Sequence, residues 1–130
     1  MIHGTPVLTG HDEIDVSIPV QIAGHPAAMD EIRAIAARRG LKVGEDAAHA
    51  HGATYKGRKV GALGDLGSFS FQSSKNLACG EGGAVLTNDE ALADRIETLR
   101  NCGRGKGGAW YEHPALGGNY RLSQLQAALL

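Results

Sequence analysis

The chain has 130 residues, of which 42% are hydrophobic and 21% are charged, and 13 basic against 14 acidic side chains give a formal net charge of -1. These values are typical of a soluble globular domain, and they favour neither nucleic acid nor an anionic membrane as a partner. The chain has no apolar run of about 18 residues, no signal-peptide pattern and only two cysteines, so we expect a cytoplasmic protein with reduced thiols.

The pattern along the chain alternates between strands and helices. Residues 18–22 (IPVQI) and 41–46 (LKVGED) have the composition of short strands, and the segment between them, 26–39, places its apolar residues on one helical face. Residues 67–72 (GSFSFQ) and 82–87 (GGAVLT) are two further predicted strands. A strand, a helix and a second strand in succession predict a parallel sheet and therefore an α/β fold.

Capping signals define two later helices. Thr87 and Glu90 have the spacing of a capping box, for a helix that stops near Gly103. Ser123 and Gln126 have the same spacing and begin a final helix, which has no glycine or proline to end it. We therefore expect the chain to be truncated, as a segment of a longer protein.

Two chemically useful side chains follow predicted strands. Ligands bind at the carboxyl ends of strands in parallel sheets, which is where Asp46 and Lys75 are expected. Lys75 lies in a loop of small residues and glycines, and a lysine shielded there from water can act as an amine nucleophile; the alternative is an ordinary solvated lysine. Asp46 can pair with a protonated cofactor ring nitrogen or, alternatively, cap the turn that follows it.

Other chemistry has weaker support in the sequence. His49 and His51 together with Cys79 can ligate zinc, but no second pair of ligands has the required spacing. The glycines of residues 61–67 (GALGDLG) do not match the spacing of a dinucleotide-binding loop. Ser70 can bind an anion, although hydroxyl groups in turns usually bond to nearby backbone.

Taken together, these residues lie in a stretch of sequence that resembles one known protein family. The stretch GEDAAHAHGATYKGRKVGALGDLGSFSFQSSKNLACGEGGAVLTND, residues 44–89, closely resembles the core of the DegT/StrS-type aminotransferases. These pyridoxal-phosphate (PLP) enzymes install amino groups on nucleotide-linked sugars and cyclitols. IPVQIAGHPAAMDEI, residues 18–32, resembles the family's preceding strand and helix, and GGNYRLSQLQAALL, residues 117–130, resembles its asparagine–aromatic–arginine motif.

The resemblance implies a role for each of five residues. Asp46 would pair with the pyridine nitrogen of PLP, and His49 would lie near the phenolic oxygen. Ser70 would bind the phosphate, and Lys75 would hold the cofactor as a Schiff base and shuttle the proton. Asn119 resembles the asparagine that reaches the phosphate of the neighbouring subunit's cofactor, which implies a homodimer.

The resemblance also implies a fold and an activity. Residues 18–130 would form part of the fold-type I large domain, with a mainly parallel sheet flanked by helices, while residues 1–17 match the family poorly. The expected reaction moves an amino group from glutamate or glutamine to a keto sugar or cyclitol, and the 130-residue segment alone is expected to be inactive. A PLP-dependent sugar dehydratase and a non-catalytic regulator are the alternatives, and Lys75 favours transamination because related dehydratases replace this lysine with histidine.

Overall fold

The chain forms a four-stranded sheet in which three strands are parallel. A computed structural model describes residues 16–109 and 111–130. The sheet order is β1-β2-β5-β6, in which β6 alone runs antiparallel, and β3 and β4 form a separate hairpin. The predicted α/β class with a mainly parallel sheet is therefore confirmed. The strands are β1 (Val16–Ser17), β2 (Lys42–Asp46), β3 (Thr54–Tyr55), β4 (Arg58–Lys59), β5 (Leu66–Ser70) and β6 (Gly83–Leu86), and the helices are α1 (Met29–Arg39), α2 (Glu90–Arg100) and α3 (Gln124–Leu129).

The segment predicted as the first strand, 18–22, pairs with the sheet over a shorter length than expected. Val20 forms an isolated parallel bridge with Asp46, and a 3-10 turn begins at Ile22. Pro19 limits the pairing because proline has no N–H to donate to a ladder. Of the predicted N-terminal segment 1–17, only residues 16 and 17 are described, and they form β1.

Helix α1 lies within the segment 26–39 that the sequence predicts, but it begins three residues later. The N–H of Ala27 donates to Oε1 of Gln21 at 2.6 Å, so this residue is held in a contact outside the helix. Acidic side chains in the first turn and arginines in the last turn complement the helix dipole. The helix ends at Gly40, which has a left-handed conformation.

Side chains from α1, β2 and the loop before β5 pack together as the core. Met29 of α1 is fully buried against this cluster, and Phe69 of β5 packs at its edge. The core therefore lies on one face of the sheet, between α1 and the 60–63 loop. Its buried members are Met29, Ala36, Val43, Ala47, Ala50, Val60 and Leu63.

The loop after β4 packs on β5 at a contact that only glycine allows. A Cβ atom on Gly67 would lie 2.2 Å from the carbonyl oxygen of Gly61. Gly61 has φ of +87°, and a Cβ atom there would lie 2.4 Å from Cε2 of Phe69. These glycines let the loop backbone reach the side of β5.

The cap of α2 differs from the one that the sequence predicts. The N-cap is Asp89, whose side chain accepts hydrogen bonds from the N–H groups of Ala91 and Leu92. Thr87 donates its hydroxyl to the carbonyl oxygen of Asp65 at 2.7 Å, so a long-range contact occupies the residue expected to cap the helix. The second predicted capping box, between residues 123 and 126, is present at the start of α3.

Asp65 joins the start of β2 to the loop before β5. Its carboxylate accepts hydrogen bonds from the N–H of Val43 at 2.8 Å and from Nζ of Lys42 at 3.0 Å. The Val43 N–H and then Lys42 hold the pKa of Asp65 below its usual value, and the same contact raises the pKa of Lys42. Within the described residues, no helix has the length and apolar content that a membrane crossing requires.

Candidate functional site

Two of the predicted site residues share one face of the sheet. In the parallel register of β2 and β5, Asp46 is the partner of Ser68. Side chains two residues apart on a strand lie on the same face, so Ser70 shares the face of Asp46 and Ser68. Asp46 and Ser70 are also the last residues of their strands. The expected site at the carboxyl edge of the sheet therefore has an acid and a hydroxyl in place.

Asp46 is half-buried and its backbone is held by hydrogen bonds to the segment before α1. Its N–H donates to Pro19 O at 2.9 Å, and its carbonyl oxygen accepts from Gln21 N at 2.8 Å. Oδ1 accepts from Ala48 N at 3.1 Å, which is the local capping contact considered as the alternative role. Oδ2 makes no hydrogen bond within the described residues. One carboxylate oxygen therefore fixes the turn, and the other is available to a ligand.

The Ser70 hydroxyl is oriented by the backbone that follows it. Ser70 Oγ accepts a hydrogen bond from Gln72 N at 3.3 Å. A serine that accepts in this way still has its own proton to donate. Ser70 can therefore donate to an anion at the end of β5.

Lys75 lies in a loop that closes on itself after β5. Phe71 N donates to Gly82 O at 2.8 Å, and Phe71 O accepts from Cys79 N at 2.9 Å, so both ends of the loop meet at one residue. Within this loop, Lys75 N donates to Gln72 O at 2.9 Å and closes a turn. The backbone that carries the lysine is therefore held by hydrogen bonds on both sides.

The C-terminal helix braces the same loop from outside. Nε2 of Gln126 donates to Glu81 O at 2.6 Å, although the two residues are 45 positions apart. Leu122 approaches Gly82 so closely that a Cβ atom there would lie 2.9 Å from Leu122 Cδ1. The end of the loop that carries Lys75 is therefore contacted from outside by Gln126 of α3 and by Leu122, which precedes this helix.

The Lys75 side chain differs from the other four lysines of the chain. It is half-buried, and within the described residues its amine makes neither a hydrogen bond nor an ion pair. The other lysine amines all donate to carboxylate or carbonyl oxygens. An unpaired amine on the loop that follows β5 is available for chemistry. The paired lysines are Lys42, Lys56, Lys59 and Lys106.

The two histidines after β2 have different surroundings. His49 is exposed, lies in the turn closed by the hydrogen bond from Ala50 N to Ala47 O, and forms no side-chain hydrogen bond within the described residues. His51 packs against Phe69, with ring centroids 5.2 Å apart, and neither buried ring nitrogen has a partner in the described part of the chain. Residues 16–109 and 111–130 hold no cluster of three or more metal-ligating side chains.

Asn119 is held at the end of α2. It forms an antiparallel bridge with Asn101, and its Oδ1 accepts from Nε of Arg121 at 2.8 Å. Its side chain is exposed, and none of these contacts brings it to Asp46 or Lys75. The structure therefore brings Asp46, Ser70 and the Lys75 loop to one sheet edge, and no hydrogen bond within the described residues joins Asn119 to them.

Sequence reasoning assigned no role to Glu45, which lies immediately before Asp46. Glu45 is 1% exposed, and its carboxylate accepts hydrogen bonds from three backbone N–H groups and from Gln21. The feature of the sequence that could have indicated a role for Glu45 is an acidic residue inside a buried strand, followed by the glycine-rich loop 61–67.

Comparisons with known proteins agree on one family. A model of the DegT/DnrJ/EryC1/StrS aminotransferase family matches residues 13–130. The chain is 50% identical over 114 residues to dTDP-3-amino-3,4,6-trideoxy-alpha-D-glucose transaminase of Streptomyces venezuelae, a match that covers 87% of the chain and 29% of the relative. It is 47% identical over 116 residues to UDP-N-acetyl-3-dehydro-alpha-D-glucosamine 3-aminotransferase of Acidithiobacillus ferrooxidans, covering 87% and 30%.

A solved structure gives the same relation in three dimensions. The aminotransferase from Psychrobacter cryohalolentis superposes with a TM-score of 0.83 at 39% identity, covering 88% of this chain and 32% of that one. The chain thus spans about a third or less of the length of the relatives it matches.

Proposed function

Because the chain belongs to the DegT/DnrJ/EryC1/StrS aminotransferase family, we propose that the complete protein is a PLP-dependent aminotransferase that acts on a keto sugar or cyclitol. The amino group comes from an amino acid, glutamate or glutamine. The names of two relatives, each a transaminase of a nucleotide-linked sugar, support this substrate class.

The described residues fit the proposed cofactor. PLP has a ring nitrogen that needs an acid beside it, a phosphate that needs donors, and an aldehyde that needs an amine. Oδ2 of Asp46 has no partner in the described part of the chain, the Ser70 proton is free to be donated, and the Lys75 amine is unpaired. Each chemical requirement therefore has an available group near the carboxyl edge of the sheet.

Each of these residues has a separate task in the proposed reaction. When bound, PLP supplies an electron sink that stabilises negative charge on the amino-bearing carbon. Asp46 holds a proton at the ring nitrogen through Oδ2, and Ser70 orients the phosphate. The Lys75 amine anchors the cofactor and then moves a proton at the amino-bearing carbon of the donor.

The remaining assignments belong to the same proposal. His49 lies in the turn just after Asp46 and is exposed, so its ring is free to approach the phenolic oxygen. Asn119 is exposed on a separate part of the chain, which suits contact with the cofactor of a second subunit in a homodimer. Cys79 and Cys102 are both free thiols, which suits a reducing compartment such as the cytoplasm.

The unpaired amine of Lys75, in the loop that leaves β5, is the observation on which the proposal rests most. The test is the first half of the reaction in the complete protein. Purified protein with PLP is mixed with glutamate or glutamine, and the 2-oxo acid released is measured against the number of sites. About one equivalent per site is expected in wild type and none in Lys75→Ala. Wild-type protein that binds PLP but releases no 2-oxo acid from any amino donor would disprove transamination.

A further inference from the structure

The carboxylate of Glu45 is buried, and a buried charge needs full compensation. Its side chain is 1% exposed, and four N–H groups donate to it. Three donors are backbone amides, which bring no opposite charge, so hydrogen bonds stabilise the carboxylate. The contacts are Leu63 N at 2.6 Å and Gly64 N at 2.9 Å to Oε1, and Gly61 N at 2.9 Å and Gln21 Nε2 at 3.1 Å to Oε2.

The site requires an acid and not merely a polar side chain. Each oxygen of Glu45 accepts two hydrogen bonds, so both oxygens must be acceptors. Glutamine has the same shape, but its NH2 group would face two donors whichever way the amide turned. An amide at this position therefore leaves two N–H groups without an acceptor.

One donor connects Glu45 to the segment that flanks Asp46. Gln21 donates to Glu45 with its side chain, and its backbone N–H donates to the carbonyl oxygen of Asp46 at 2.8 Å. Two residues earlier, Pro19 O accepts the N–H of Asp46 at 2.9 Å. Glu45 thus fixes the segment that brackets the backbone of Asp46.

The other donors connect Glu45 to β5 on the opposite side. Gly61 donates to Glu45 and packs against Gly67, which is the register partner of Glu45. The next register pair is Asp46 and Ser68. The loop held by Glu45 therefore supports the strand that lies beside Asp46.

We propose that Glu45 is a positioning residue of the cofactor site, which holds the end of β2 so that Asp46 presents Oδ2 to the ring nitrogen. Adjacent residues on a strand point to opposite faces, so Glu45 acts through Asp46 and does not touch the cofactor itself. The inference rests on the proposed function, because it assigns Glu45 a part in the same site.

The test compares cofactor affinity with stability in the complete protein. PLP dissociation constants are measured by fluorescence quenching, and melting temperatures are measured without cofactor. Glu45→Gln is expected to weaken PLP binding at least about tenfold. Asp65→Asn is the matched control, because Asp65 ties the same loop to β2 at Val43, away from Asp46. It is expected to lower the melting temperature and keep the wild-type affinity.

An Asp46→Asn background separates positioning from general loss of structure. If Glu45 acts through Asp46, Glu45→Gln should weaken binding no further in that background. Gln21→Ala removes one of the four donors to Glu45 and replaces Glu45→Gln in the test if that variant does not fold. It should weaken PLP binding less than Glu45→Gln, and this loss should likewise disappear in the Asp46→Asn background.

Three results would overturn these conclusions in distinguishable ways. Unchanged PLP affinity in a folded Glu45→Gln protein would overturn the positioning role alone. An equal loss of affinity with and without Asp46 would also overturn it, because the effect would then be structural. Wild-type protein that does not bind PLP would overturn the proposed function and this inference with it.

Discussion

Asp46 of β2 and Ser68 of β5 are partners in the parallel register, and this pairing places Asp46 on the same sheet face as Ser70. The position of the acid is therefore set by backbone hydrogen bonds at a strand end and not by a flexible loop. Lys75, by contrast, lies on the loop that leaves β5. The site thus combines a fixed acid with a lysine whose position depends on loop contacts.

Asp46→Asn should reduce catalysis far more than stability. Asparagine keeps an oxygen that accepts from Ala48 N, so the turn remains capped, but a neutral amide cannot stabilise a protonated ring nitrogen. We expect the glutamate half-reaction to slow by about 100-fold or more, with a change of less than about 1 kcal/mol in the free energy of unfolding. Wild-type half-reaction rates would leave Asp46 with the capping role alone.

Lys75 should be the residue that binds the cofactor covalently. Borohydride reduction of the complete protein with PLP, followed by peptide mapping, should label the peptide that contains Lys75. Lys75→Ala should abolish the label, whereas Lys56→Ala should keep it because Lys56 is committed to an ion pair with Asp30. A label on any other lysine would contradict the assignment.

Asn119 should act across a dimer interface. Asn119→Ala and Lys75→Ala proteins are each expected to be inactive, but a mixed dimer combines both intact residues at one of its two sites. Activity should therefore return after the two proteins exchange subunits. If verified mixed dimers remain inactive, the intersubunit role is wrong.

Gly61→Ala should destabilise the protein more than Gly57→Ala. Both glycines have a positive φ, so both substitutions carry the backbone cost of about 1–2 kcal/mol. A Cβ atom on Gly57 meets nothing within 4 Å, whereas one on Gly61 meets the Phe69 ring, which adds about 1–3 kcal/mol. Chemical denaturation of both variants measures the difference, and equal losses would mean that the Phe69 contact relaxes without cost.

The contribution of Asp65 to stability should disappear in acid. Its folded pKa lies below the usual 3.8, so its stabilisation is fully present well above that value and is lost as the pH falls through the folded pKa. Asp65→Asn should cost about 1 kcal/mol at neutral pH, a figure that allows for the partial exposure of this carboxylate. Denaturation at a series of pH values should show the wild type and the variant converging below pH 3.8. A gap that stays constant into acid would contradict this assignment.

Local sequence patterns predicted the helices and the central strands, but they overextended the strand at 18–22, missed the β3–β4 hairpin and misplaced one cap. The apolar periodicity of residues 26–39 indicated α1, and the spacing of Ser123 and Gln126 indicated the cap of α3. The predicted cap of α2 was wrong because the Thr87 hydroxyl donates a hydrogen bond to the carbonyl oxygen of Asp65, 22 residues earlier, and Asp89 caps the helix instead. A local pattern contains no information about that contact.

The candidate site was likewise predicted from the sequence only in part. The strand-end position of Asp46 followed from the predicted βαβ pattern, because parallel strands end at a common edge. Ser70 was expected inside a strand over 67–72, whereas β5 ends at this residue. The role of Glu45 did not follow from that pattern, because the N–H groups at 61–64 that donate to it are between 16 and 19 residues away along the chain. Nor could the sequence indicate that Lys75 alone among the lysines forms no ion pair or hydrogen bond within the described residues.

The contact between Gln126 and Glu81 has a consequence for protein synthesis. The carboxylate contacts of Glu45 join residues between 21 and 64, so they can form as soon as that stretch has left the ribosome. The brace on the Lys75 loop must wait for Gln126, 45 residues after Glu81. During translation the contacts of Glu45 can therefore form before Gln126 is available to brace the Lys75 loop.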